Sequence, residues 1–375
     1  MVSAPRRTVE IESLARFDDL VADGATRTRG WRVQDVDLAE RTSVLLQLDG
    51  AGSLWLGCVI ARVAADHLRD GGGLVFPTIP ELPFDPYRAQ LYTPDAIYAG
   101  LSAHAYDRTL DARIYAWSRC RDGDIQRVVA MALHDQSIED ALDEYVAGQS
   151  VVGVMGGHAV ERGEPAYAES ARVGAALASA GHVVASGGGP GAMEATNLGA
   201  YLHAFDSDAL DSAIRILAKV PSFESSVTTW ARAAFEVRRR WPDGSDSLGI
   251  PTWYYGHETS NAFANSIAKY FQNAVREDTL LRHCDAGLIF MPGAGGTVQE
   301  IFQSACENYY ATRATVAPMV LVGASYWTSE LPAWPLLTRL AGDRPMADHI
   351  HLVDDLGEVS SHFGVPPSVT ARKTG

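Results

Sequence analysis

Ser186-Gly187-Gly188-Gly189-Pro190-Gly191-Ala192-Met193-Glu194 and Met291-Pro292-Gly293-Ala294-Gly295-Gly296-Thr297-Val298-Gln299-Glu300 decide the reading of this chain. Each stretch follows a short apolar run, residues 182–185 and 286–291, and each leads into a helix-forming segment. Such runs suit strands buried on both faces of a parallel sheet. Glycine lets the backbone approach an anion closely, and the helix start adds unpaired N–H groups and a partial positive charge. One such loop is explained equally well by a tight strand-to-helix turn. Two in one alternating pattern are a stronger signal, because both open at the same edge of the sheet. Gly156-Gly157-His158, after the apolar run 151–155, is a third and weaker turn facing the same crevice.

The neighbouring segments extend the alternation. Residues 165–180 predict a helix, with Pro165 at its start and Gly181 past its end. Residues 215–220 predict a strand, 252–255 a further one, 262–282 a long helix and 298–310 another. Residues 318–322 and 349–353 predict late strands. The order implies an α/β class, a Rossmann-like doubly wound parallel sheet. A break falls near residue 148. Residues 137–148 predict one short helix, capped by Ser137 and ended by Gly148. Residues 1–148 are thus expected to form a smaller α+β N-terminal domain of unassigned role, and 149–375 the Rossmann-like domain. In the former, 43–48 and 53–60 predict two strands around Asp49-Gly50, and 93–103 and 137–146 helices. The long 221–250 connection carries Arg238, Arg239, Arg240 and Trp241, and connections of that length are often lids.

Composition bounds the partners. The 375 residues carry a formal charge of −15. That excludes a backbone-tracking nucleic-acid binder, which needs a basic face, but not a small anion in a local pocket. Lysine occurs only at 219, 269 and 373, so a Schiff-base mechanism has few candidates. Cys58, Cys120, Cys284 and Cys306 lack metal or redox spacing and read as reduced thiols of a cytoplasmic protein. No signal core is read in residues 1–12, and no membrane helix is expected anywhere. A nicotinamide site fits poorly, since the first turn lacks G-x-G-x-x-G and no acidic residue ends the second strand. A P-loop fails for want of G-K-[ST].

The two loops resemble those of the LOG family, nucleoside 5′-monophosphate phosphoribohydrolases often mislabelled lysine decarboxylases. That family's loops read G-G-G-x-x-G-x-M and P-G-G-x-G-T-x-x-E. The resemblance covers roughly residues 150–355. Gly156-Gly157-His158 with Pro190-Gly191-Ala192-Met193-Glu194 is most similar to the bacterial purine/pyrimidine nucleotide 5′-monophosphate nucleosidases. Three departures stand out. Ala294 replaces the usual second glycine of the second loop, and the stretch from Arg276 to Pro292 is one residue longer than the common pattern. Residues 255–258 and the 221–250 connection have no counterpart in short plant-type members.

The resemblance implies hydrolysis of the N-glycosidic bond of a nucleoside 5′-monophosphate to free base and ribose 5-phosphate, without cofactor or metal. It assigns catalysis to Glu300 and Arg276. Nucleotide binding falls to Gly156, Gly157, Gly187, Gly188, Gly189, Gly191, Met193, Glu194, Gly293, Gly295, Gly296 and Thr297. A carboxylate beside C1′ can stabilise oxocarbenium charge or activate water. The plain alternative for Glu300 is complementing a helix dipole, worth about 0.3–1 kcal/mol. Arg276 can hold the phosphate or assist departure of the base, or simply pair with Glu277 or Asp278. Thr297 suits a phosphate oxygen and equally an N-cap, and Met193 suits a base face and equally a core. His257-Glu258 is no H-E-x-x-H, because residue 261 is Asn. Two other classes remain open: a non-catalytic nucleotide or molybdenum-cofactor binder with the same cradle, and a transferase with 221–250 as lid. The family also implies a homodimer or larger homo-oligomer.

Overall fold

The structure, a computed structural model, describes residues 8–119, 124–255 and 259–364. The chain forms two compact units. One comprises Met1–Gln90 with Asp122–Ala141, the other Leu91–Arg121 with Leu142–Gly375.

In the first unit, β1 (Val9–Ile11), β2 (Trp31–Gln34), β3 (Leu54–Leu56) and β4 (Leu74–Phe76) lie side by side in chain order, all parallel. Short helices join them, so this smaller unit is parallel too. Ile11, Phe17, Trp31, Val33, Leu45, Trp55 and Leu68 form its buried core. Residues 43–48 do not form the expected strand. Thr42–Leu45 is helical, and the buried residues there are Leu45 and Leu48, three apart as on a helical turn. The strand expected over 53–60 ends at Leu56, before Gly57 at φ +65°. The 137–148 helix starts much earlier, at Ile125, and runs to Val146. Ser137 therefore lies inside it and donates its hydroxyl to the Pro86 carbonyl instead of capping. Gly148 does stand past the end at φ +73°.

The second unit holds a seven-stranded parallel sheet. Its members are β5 (Val151–Met155), β6 (Val183–Ser186), β7 (Ser247–Gly249), β8 (Ser266–Ile267), β9 (Gly287–Phe290), β10 (Met319–Val322) and β11 (Ile350–Val353). The spatial order is β11-β10-β9-β5-β6-β7-β8. The winding direction reverses between β5 and β9, which pair from Val152 opposite Gly287 to Met155 opposite Phe290. Ligands of such sheets sit outside the strand ends at that reversal. Val152, Val154, Val184, Ile289, Val320 and Val322 fill the core between sheet and helices.

Several expected elements are corrected. Residues 215–220 are no strand: Ala209–Leu217 is a helix whose buried Ala209, Ala213 and Leu217 recur every four residues. The long helix over 262–282 is broken into β8 and a helix, Asn273–His283. Residues 252–255 contribute only a single bridge, Thr252 to Tyr270. The helix expected over 93–103 covers only Pro94–Ile97. The 221–250 connection is built into the fold as the helix Val227–Arg240 and β7, with Trp230, Ala231, Ala234 and Val237 buried. Residues 256–258, including His257-Glu258, lie outside the described residues, as does Cys120. Among the described residues no helix is long and apolar enough to cross a membrane.

Candidate functional site

The site grows from the three strands at the reversal. Beyond β5, Gly157 donates its N–H to the Pro292 carbonyl at 3.2 Å and accepts from Ala192 N at 3.1 Å. The first turn thus ties the other two loops together. The packing requires small residues. A Cβ on Gly156 would lie 2.9 Å from the Ala192 Cβ, and one on Gly191 would lie 2.5 Å from the Gly157 carbonyl oxygen. Gly191 also has φ +72°, a conformation L side chains disfavour.

The triple glycine is buried and braced from every side. Gly188 donates to the Ser186 hydroxyl at 3.0 Å, and that hydroxyl donates to Asn197 Oδ1 at 2.6 Å. Asn261 donates its backbone N–H to Gly188 O at 2.8 Å and its Nδ2 to Gly189 O at 3.1 Å and Asn197 Oδ1 at 3.0 Å. Asn197 Nδ2 in turn reaches Ser247 Oγ at 2.6 Å. Asn197 and Asn261 are both fully buried. Neither was read from the sequence as part of the site. Asn261 sat at the edge of a misassigned helix, and a lone asparagine carries no spacing signal.

Arg276 reaches this loop from the Asn273–His283 helix. Its Nε donates to Ile250 O at 2.7 Å, Nη1 to Glu277 Oε2 at 2.5 Å and Nη2 to Gly187 O at 3.2 Å. Arg276 thus pairs with Glu277, as its plain reading expects, and also touches the first loop. Among the described residues three of its five N–H bonds are used, which leaves one on each terminal nitrogen. A Cβ on Gly187 would collide with Arg276 Nη2 and with Met193 Sδ, so these three residues share one spot.

The second loop is the open one. The helix Gly295–Tyr310 starts on Ala294, which supplies no side-chain capping bond, so the orphan N–H groups of its first turn have no side-chain cap from that residue. Gly295 and Gly296 are exposed, with no atom within 4 Å of where a Cβ would sit. Thr297 is buried and packs its hydroxyl back over Gly293, whose missing side chain makes the room. The Tyr326 hydroxyl donates to Gly293 O at 2.8 Å and steadies the turn. Glu300 lies one turn on, on the same buried face as Thr297, Ile301 and Ser304. Burial pushes the Cys284 thiol up, and the charges of Asp285 and Glu300 add to it.

Glu194 departs from its expected role. It is fully buried on the Ala192–Leu202 helix and holds Arg162 by two contacts, 2.8 Å from Nε and 2.5 Å from Nη2. The Tyr167 hydroxyl donates to it at 3.0 Å. Burial, with the Glu194 charge adding to it, pushes the Tyr167 phenol well above its ordinary value and keeps it a donor. Arg162 also donates to Trp230 O at 2.9 Å and lies 4.2 Å from the Trp230 ring centroid. This carboxylate anchors the helix that follows the first loop.

No family model and no curated protein matches the chain. Among solved structures, the molybdenum cofactor binding protein from Rippkaea orientalis is similar at 14% identity and a TM-score of 0.34, over 57% of this chain and 94% of that one. The molybdenum cofactor carrier protein from Chlamydomonas reinhardtii is similar in two structures. One stands at 14% identity and a TM-score of 0.35, the other at 16% and 0.33, each over 57% of this chain and 94% of that one.

Proposed function

We propose that the crevice outside β5, β6 and β9 binds a nucleoside 5′-monophosphate by its phosphate, and that the chain hydrolyses the N-glycosidic bond of that ligand. The observation that supports this most is the exposed helix start at Ala294, Gly295 and Gly296, without a side-chain cap from Ala294 and set beside two further glycine turns at the reversal of the sheet. Helix N-termini present N–H groups and positive potential to phosphate. The backbone does this without a basic surface, which suits a chain of charge −15. The two remaining N–H groups of Arg276 supply the side-chain charge. Glu300 is the proposed carboxylate for the oxocarbenium-like transition state or the attacking water. Assembly as a homodimer or larger is part of the same reading.

A second reading, binding without turnover, is favoured by one specific observation. Glu194 is committed to Arg162, and Arg276 is partly committed to its own loops, so the charged groups serve construction as much as chemistry. Incubation with AMP, GMP, CMP, UMP and a cytokinin riboside monophosphate, with free base and bound nucleotide both measured, separates the two. Base release supports hydrolysis; binding with no release supports the carrier. In the first case Glu300→Gln should keep nucleotide affinity within about twofold and lower kcat at least ~100-fold, the usual scale for a lost acid–base group. Unchanged turnover removes Glu300 from the mechanism.

A further inference from the structure

The arginines of the Val227–Arg240 helix are not absorbed by the nucleotide site. The C-terminal run 238–240 complements the helix dipole, which accounts for basic residues there but not for Arg232 in mid-helix. Arg238 is consumed internally: Nη1 donates to Ala262 O at 2.8 Å, the guanidinium lies over the Tyr201 ring, and Asp95 sits 3.9 Å from Nη2. Arg240 lies 4.8 Å from the Trp241 ring centroid. Arg232 and Arg239 are different. Seven residues apart, they stand on one face of the helix and line a cavity of about 200 Å3. Tyr98 and Phe235 supply aromatic wall, with ring centroids 5.6 Å apart, and Leu101 adds aliphatic surface. Arg232 spends Nε and Nη2 on the carbonyls of Leu101 and His104, which fixes its plane and leaves Nη1 without a partner among the described residues. Arg239 is exposed and makes no hydrogen bond, ion pair or ring contact among the described residues.

We propose that this cavity is a second binding site, for a small organic anion with an aromatic body. Two guanidiniums in the lining suit a carboxylate or phosphate, Asp95 of the same lining being set 3.9 Å from Arg238 Nη2, and the aromatic wall suits a ring. The site also has a physical connection to the glycine loop. Tyr98, part of its wall, donates its hydroxyl to Ser260 O and bonds Thr259 Oγ1 at 2.8 Å. The next residue is Asn261, which holds Gly188 and Gly189. Occupancy beside Tyr98 therefore steadies the segment that sets the loop.

The test titrates the full chain with benzoate, and with uncharged benzamide as the control, by calorimetry. Saturable one-to-one benzoate binding is expected, with benzamide at least about tenfold weaker. Arg239→Glu should weaken benzoate at least about tenfold, whereas Arg240→Glu, the same charge change outside the cavity, should leave it within about twofold. In the wild type, benzoate should slow amide hydrogen exchange over 259–264 as well as over 98–102, and in Arg239→Glu over neither. Absence of benzoate binding, equal loss in both variants, or binding indifferent to Arg239→Glu overturns the site. Slowing confined to 98–102 overturns the connection. None of these readings needs AMP to bind, so failure of the nucleotide proposal is scored separately.

Discussion

Glu194→Ala is expected to destabilise the fold by about 3–5 kcal/mol, the cost of leaving one partner of a buried ion pair uncompensated. Arg162 and Glu194 side chains are 1% and 0% exposed, so solvent cannot take over from the missing carboxylate. Three donors lose their acceptor together: Arg162 Nε, Arg162 Nη2 and the Tyr167 hydroxyl. The Trp230 ring and carbonyl would still hold Arg162 in place and keep its charge inside. Urea denaturation of the variant reads the loss directly. Were Glu194 instead a nucleotide-binding residue only, the same substitution would weaken nucleotide binding and leave stability nearly untouched.

The second large effect concerns two helices that approach too closely for side chains. Pro165–Ser179 crosses Ala192–Leu202 where Gly174 meets the Thr196 backbone and Gly199 meets the Ala171 backbone. A Cβ at either glycine would fall far inside van der Waals contact with a carbonyl oxygen. Backbone cannot swing away as a flexible side-chain tip can. Gly199→Ala is therefore expected to cost about 3 kcal/mol, the upper end for overpacking, despite the roughly 1 kcal/mol gain in helix propensity. Because Ala192–Leu202 begins at the first glycine loop, the lost stability should come with loss of ligand binding. Thermal unfolding of Gly199→Ala reads this steric cost, since Gly199 lies within a helix and has no left-handed φ to add a backbone cost.

Legibility in the sequence followed the strength of local patterns. β5, β6, β9, β10 and β11 were readable because runs such as Val151–Met155 and Met319–Val322 are apolar throughout and bounded by glycine or proline. β7 and β8 were missed: Ser247–Gly249 and Ser266–Ile267 are three and two residues long, and their register comes from neighbours already in the sheet. Residues 215–220 misled because a helix with every fourth residue buried shows a local apolar run at its end. The loops themselves were legible, since glycine and a following helix leave a signature. Their braces were not. Arg162, Asn197 and Asn261 are brought to the loops by the winding of the chain, 32, 50 and 64 residues from the partners they hold. Glu194, two past Ala192 on a helix buried all round, faces inward to Arg162, a partner that no local pattern announces.

The start of the Gly295–Tyr310 helix is the proposed phosphate site. Gly296→Asp tests it most directly. The position is open, with no atom within 4 Å of the new Cβ, and an acidic residue in the first turn of a helix favours folding. The same carboxylate would occupy and repel the place of the ligand's phosphate. Equilibrium dialysis with AMP should show affinity at least ~100-fold below wild type, while the Tm stays level or rises. AMP affinity unchanged in a folded Gly296→Asp protein would contradict the account.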